Sequence, residues 1–358
     1  MARRNEPVET PEVDALPGIP LPHQRNVLIG HGETEKSLLE AYRSERLHHA
    51  WILGGPKGIG KATLAFRFAK FVLVNPDRFG PQAAMVHDLS VPENHPVVRQ
   101  VAAGGHPNIL HLRRPWDDKG KRFKADLPVD EVRRTVSFFG TTASARAWRV
   151  CIVDAADDMN ASSANALLKI LEEPPERCLF LVLSHAPGRL LPTIRSRCRR
   201  LDMAPLSETD ITNGLRDLAG HAIPDASGLA EIAQTADGSL RSALTLLAGD
   251  GLAIAQGTRK LAEAGSQMDL KALHALSDLV AARGQTDNWE SFQHVAETWL
   301  HGQMRRSIAA GTGAAFAYVK LWEGTQKAIA ESDALNLDRK QVVLDFFLNL
   351  RSVRTQLA

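Results

Sequence analysis

Apolar and polar positions along the chain change period several times, and each change marks an element. Glu33 to Arg46 places Leu38, Leu39 and Tyr42 at helical spacing, and the apolar run Ala50 to Leu53 stops at Gly54-Gly55, so a helix and then a buried strand are predicted. From Lys61 to Leu73, Leu64, Ala65, Phe68, Phe71 and Val72 recur at helical period until Asn75-Pro76 ends the pattern. Strand, glycine loop and helix open a βαβ unit. Between Asn75 and Pro107 no period is sustained, and mixed helix and loop is expected. Ile109 to Leu112 reads as a strand; Asp130 caps a predicted helix with Val132, Val136 and Phe139 on one face and Gly140 past its end. Val150 to Val153 is a buried-type strand, Asn160 caps a helix from Ala161 to Glu173 that Pro174-Pro175 terminates, and Cys178 to Leu183 is a further strand. Strands alternating with helices imply a parallel sheet covered on both faces.

After Pro205 the pattern is helical throughout. Three short helices, Glu208 to Ala219, Gly228 to Thr235 and Leu240 to Leu247, are separated by Gly220, Pro224 and Gly238. Beyond Gly265 come longer ones: Asp269 to Ala282, Trp289 to Ile308, Ala315 to Glu331 and Asp338 to Thr355. The last carries Val342, Val343, Phe346, Phe347, Leu350 and Val353 in one broad apolar stripe, which needs a partner surface. No internal repeat is visible. The expected organisation is a flexible tail over 1–24, an α/β domain over 25–205, a small helical domain over 206–265 and an all-α domain over 266–358.

Composition narrows the class. The 358 residues are 44% hydrophobic and 23% charged, as in soluble globular proteins, and at roughly 100 to 200 residues per domain they fit two or three domains. Lys plus Arg number 43 against 41 Asp plus Glu, a net charge of +2, so no global field holds nucleic acid or anionic membrane; any such contact is local. The stretch to Gln24 carries Arg3 and Arg4 but no apolar core of a leader, and five prolines make it read as a loose tail. No run approaches the roughly 18 apolar residues of a membrane helix, and Cys151, Cys178 and Cys198 are too scattered for a C-x-x-C pair. A cytoplasmic protein with free thiols is expected.

The chemistry begins at Gly55-Pro56-Lys57-Gly58-Ile59-Gly60-Lys61, the G-x-x-x-x-G-K of a phosphate-binding loop. Gly55, Gly58 and Gly60 let backbone N–H groups close round phosphates, the helix that starts at Lys61 points its positive end at them, and Lys61 reaches the terminal phosphates. The next residue departs from the pattern: Ala62 stands where a Ser or Thr hydroxyl would meet Mg²⁺, and Thr63, one place and about 100° later, cannot inherit that role without a shift of register. Asp154, ending an apolar strand, matches the carboxylate that holds Mg²⁺ through water, but Ala155 follows where hydrolysing relatives carry a water-polarising Glu. Asp157 and Asp158 read as caps or solvated surface.

Asn165 to Pro175, with the sequence NALLKILEEPP, and Ser196-Arg197-Cys198 complete a set that resembles the bacterial clamp-loader branch of the AAA+ ATPases. The methyl groups at 62 and 155 make it similar to a non-motor subunit of that machine rather than to its motor; the resemblance runs from about Gly30 to Arg241 and, more weakly, to Asn336-Leu337-Asp338-Arg339. It implies an AAA+ phosphate-loop module, a helical lid, and a C-terminal domain that joins a ring-shaped collar. It places Arg197 on the arginine finger supplied in trans to the neighbour's ATP site, His185 on sensor 1, where Asn or Thr is usual, and Arg241, after Ser239, on sensor 2; for Arg241 an ordinary helix-surface arginine is the competing reading. The resemblance further implies a stator that positions motor and delta-type subunits while they load the sliding clamp on primed DNA, with ATP or ADP held but not hydrolysed. A catalytically active motor of the same complex is the alternative. The family's four-Cys zinc module has no counterpart, since residues 64 to 150 contain no Cys, and His87, His95, His106 and His111 lack ligand spacing, so no metal is expected. Arg113 to Lys124 reads as an exposed basic loop: with Trp116 and Phe123 it offers a DNA contact, but Asp117, Asp118 and Asp126 favour a solvated loop.

Overall fold

In a computed structural model of the chain, residues 11–13, 15–45, 47–140, 147–220, 224–335 and 337–357 are described. The chain divides into two compact units between Leu206 and Ser207. In chain order the first contains α1 (Gly32–Arg43), β1 (Ala50–Gly54), α2 (Lys61–Val74), α3 (Pro81–Met85), α4 (Pro96–Ala102), β2 (Ile109–Leu112), β3 (Trp116–Asp117), β4 (Arg122–Phe123), α5 (Val129–Gly140), β5 (Arg149–Val153), α6 (Ala161–Glu172), β6 (Cys178–Ser184), α7 (Pro192–Arg195) and β7 (Arg199–Asp202). The second contains α8 (Glu208–Leu218), α9 (Ala226–Thr235), α10 (Leu240–Leu247), α11 (Gly251–Ala264), α12 (Leu270–Val280), α13 (Thr286–Ala309), α14 (Ala314–Leu335) and α15 (Arg339–Leu357).

The first unit is built on a five-stranded sheet in the order β2-β5-β6-β1-β7, with every neighbouring pair parallel. β1 and β6 are buried throughout because both faces are covered, and each face has its own core. Trp51, Leu53, Val150, Ile152, Leu181 and Leu183 pack with Leu38, Tyr42, Phe68 and Phe71 of α1 and α2; the alternate residues Ile52, Cys151, Val153, Phe180 and Val182 pack with Val132, Phe139 and Leu167 of α5 and α6. This is the expected α/β phosphate-loop module with a parallel sheet.

The structure departs from the sequence pattern of this unit at several places. β7 was hidden by its sequence, Arg-Arg-Leu-Asp, because an edge strand with exposed residues needs no apolar run; it pairs with β1, and Arg199 lies 4.9 Å from the centre of the Trp51 ring. The basic loop contains the antiparallel ribbon β3–β4, closed by an edge contact of Trp116 with Phe123 at 5.0 Å. Val136 does not join Val132 and Phe139: it is 67% exposed; α5 starts at Val129, so Asp130 lies in its first turn and pairs with Arg133 rather than capping the helix, and Gly140 lies inside α5 rather than past its end.

The second unit is helical, as expected, with one core running through α11 to α15. The stripe on α15 finds the partner surface it needs within the chain. Val343, Phe347 and Leu350 are fully buried, and Phe346 meets Phe292 of α13 edge-on at 5.7 Å. α11, which the glycine-rich start Gly249-Asp250-Gly251 concealed, packs on α13 and joins the helices of 206–265 to those of 266–358 inside this unit. Asn336 lies outside the described residues.

Candidate functional site

β1 delivers the chain into the loop Gly55 to Gly60, and α2 begins at Lys61. Glycine is required here by geometry. Gly55, Gly58 and Gly60 have φ of 145°, 78° and 106°, and a Cβ on Gly55 would lie 2.4 Å from the carbonyl oxygen of Met203, just beyond β7. Ile59 anchors the loop in the core, and His31 bonds its carbonyl through Nε2 at 2.8 Å. Lys61 is 5% exposed, and its ammonium donates to the loop's own carbonyls, Gly55 O at 2.7 Å and Pro56 O at 2.6 Å. Burial lowers the Lys61 pKa to about 8, against the favourable charges of Asp154 and Asp157 and with the repulsion of Lys57.

The loop's fit to a nucleotide is therefore divided. Its positive-φ glycines and the α2 N-terminus suit a phosphate, provided Lys61 exchanges carbonyls for phosphate oxygens. The surroundings do not suit a catalytic Mg²⁺. Ala62 packs against the core with its methyl group, Thr63 follows on another side of the helix, and Ala155 is buried. Among the described residues no group of three or more His, Cys, Asp or Glu is arranged to hold a metal.

Asp154 lies just beyond β5 and has a neighbour that the sequence reading missed. The register of β2 against β5 sets His111 opposite Ile152, on the same face as residue 154, and His111 Nε2 stands 3.4 Å from Asp154 Oδ2. The signal was present in the two strand patterns but could be used only once the strands were known to be adjacent. Asp157 is also more than a surface carboxylate. Its oxygens accept from Ser184 Oγ at 2.9 Å, His185 N at 2.6 Å and Ala186 N at 3.1 Å, so it ties off the end of β6. His185 is thereby held beside the loop, and burial together with Lys61 and Lys57 drives its pKa down to about 4; it is a neutral imidazole at neutral pH.

Arg197 follows α7. Its Nη2 forms an ion pair with Glu172 Oε1 at 2.6 Å, and its Nη1 donates to Thr193 O at 3.1 Å and Ser196 Oγ at 3.4 Å, with 35% of the side chain exposed. Arg241 lies in the second unit near the start of α10, which Ser239 caps, and its Nη2 meets Glu290 Oε2 of α13 at 3.2 Å. The basic ribbon is largely neutralised at its base: Arg113 pairs with Glu12, and Arg114 Nε lies 3.0 Å from Asp158. Lys119, Lys121 and Lys124 stay exposed.

Residues 30–207 match the family described as DNA polymerase III, delta subunit. Over 150 residues the chain is 39% identical to the DNA polymerase III subunit delta' of Pseudomonas aeruginosa, covering 42% of this chain and 41% of that one. It is 30% identical over 188 residues to the delta' subunit of Bacillus subtilis, covering 52% of each. The chain thus spans about half the length of these curated relatives. A DNA polymerase III gamma subunit-related protein of Thermotoga maritima aligns over 91% of this chain at 17% identity, with a TM-score of 0.43.

Proposed function

Taking residues 30–207 as a segment of the DNA polymerase III delta-prime type, we propose that the chain is a non-motor subunit of the replicative clamp loader. It holds the motor and delta-type subunits in position and presents Arg197 to the ATP site of one neighbour, while the complex places the sliding clamp on primed DNA. The observation that carries this reading is the chemistry beside the phosphate loop: methyl groups stand at 62 and 155, where a hydrolysing site needs a metal-binding hydroxyl and a water-orienting carboxylate. ATP or ADP binds at Gly55, Gly58, Gly60, Lys61, Ala62 and Thr63 near Asp154 without turnover, and Arg241 takes the sensor 2 role that the resemblance implies. The module over 25–205, the lid over 206–265 and the domain over 266–358 keep the roles the resemblance implies.

Losing both the metal-binding hydroxyl and the carboxylate costs several kcal/mol of barrier, about tenfold in rate for each 1.36 kcal/mol. Steady-state ATPase of the purified chain is therefore expected at background. Turnover of about 1 s⁻¹, abolished by Lys61→Ala, would establish the motor alternative instead.

A further inference from the structure

We propose that Glu172 is the positioning residue for Arg197, a carboxylate that occupies the guanidinium in the free chain and yields it to the neighbour's phosphate on assembly. This deepens the arginine-finger reading above and rests on it.

The two residues come from different elements. Glu172 closes α6 at the end of the NALLKILEEPP segment, and Arg197 follows α7, so the bond between them spans the packing of α6 on α7. The other cations nearby are held differently: Arg195 donates to Gly188 O at 3.4 Å, and Arg200 pairs with Asp202 of its own strand at 2.8 Å. Glu172 also stands at the negative end of a helix, an unfavourable place for a carboxylate, so the guanidinium beside it relieves a local excess of negative charge.

The pair is built to exchange. Side-chain exposures of 35% for Arg197 and 48% for Glu172 leave it in solvent, where ion pairs are weak, and a single Nη meets a single Oε1. A phosphoryl group offers more charge and three acceptor oxygens to the same planar fork. Thr193 O and Ser196 Oγ bind Nη1 from the finger's own turn, so they keep the guanidinium in place while its acidic partner changes. Glu172 therefore competes with the neighbour's nucleotide for Arg197, and removing its charge removes the competitor.

The test uses the reconstituted complex carrying this chain as wild type, Glu172→Gln, Arg197→Ala or the double variant, assayed for DNA-stimulated ATPase as a function of ATP. Glu172→Gln, which is nearly isosteric, is expected to lower the KM for ATP by about 1.5- to 5-fold, the range of an exposed ion pair, with the change falling on KM rather than kcat. Glu172→Ala should shift it in the same direction. In the Arg197→Ala background the Glu172 effect should vanish. If Arg197→Ala lowers turnover but Glu172→Gln leaves KM unchanged or raises it, the positioning role is overturned and the finger reading stands. Wild-type ATPase in the Arg197→Ala complex overturns both.

Discussion

Arg197 is the residue whose proposed work is done on another chain's nucleotide, and its surroundings make the prediction sharp. Its loss removes a half-exposed side chain, so Arg197→Ala is expected to leave folding and assembly intact while the ATPase of the facing site falls; fingers of this kind are worth roughly 10³ to 10⁵ in rate. Arg197→Lys should rescue poorly, because a compact ammonium lacks the planar fork. Comparing both with Arg200→Ala for ATPase and clamp loading checks the assignment, and parity of Arg197→Ala with that control removes it. A second residue-scale prediction concerns His294 of α13, whose Nε2 bonds Thr235 O at 3.1 Å and whose Nδ1 meets Ser242 Oγ at 3.2 Å. Burial, together with the charge of Arg259, lowers its pKa in the folded chain, while the Thr235 bond, Glu297 and Asp237 oppose the shift. In the unfolded chain the ring takes up its proton near pH 6.5, so below that pH the unfolded state binds more protons, and stability present above it is lost as the pH falls. Urea midpoints at pH 7.5 and 5.5 should show the loss, and His294→Gln should show a smaller one; an equal slope in the variant would exclude this histidine as a source.

At the scale of elements, helix caps were partly readable and strand registers were not. Asn160 was expected to cap its helix and does, its Oδ1 accepting from Ser163 N at 3.0 Å, because short polar side chains satisfy the free N–H groups of a first turn wherever the helix lies. Asn160→Ala is expected to cost about 1 kcal/mol in chemical unfolding, and an unchanged midpoint would mean that the cap contributes nothing. The candidate site was legible in its loop: Gly55, Gly58, Gly60 and Lys61 are adjacent in sequence, so a motif records them. His111 against Asp154 was not, because their meeting depends on which strands become neighbours. The same reason hid β7, whose exposed Arg199 and Arg200 carry no apolar signal until β1 lies beside them.

For the whole molecule, the helical unit changes what truncation means. Since α11 packs on α13 and the α15 stripe is buried in the same core, cutting the chain near Gly265 removes the other side of that core from Ile254 and Leu261. The truncated chain is expected to lose helical signal from 207–265 as well, whereas residues 207–358 expressed alone should melt cooperatively in circular dichroism; the reverse outcome would show that the lid folds independently. Phe347→Ala, at the centre of this core, should cost about 3 to 5 kcal/mol of unfolding free energy.

What the sequence by itself determined is what depends on neighbours in the chain: the phosphate loop, the methyl groups at 62 and 155, the helix caps, the alternation of strands with helices, and the apolar character of β1, β5 and β6. Those features follow from local backbone geometry and from side-chain chemistry that no partner alters. Only the tertiary structure decided that Lys61 turns onto its own loop, that Asp157 ties off β6, that Glu172 meets Arg197, and that the stripe on α15 is consumed within the chain. Each is a contact between residues brought together by packing, and an apolar stripe or an exposed charge specifies that it will find a partner without specifying which one.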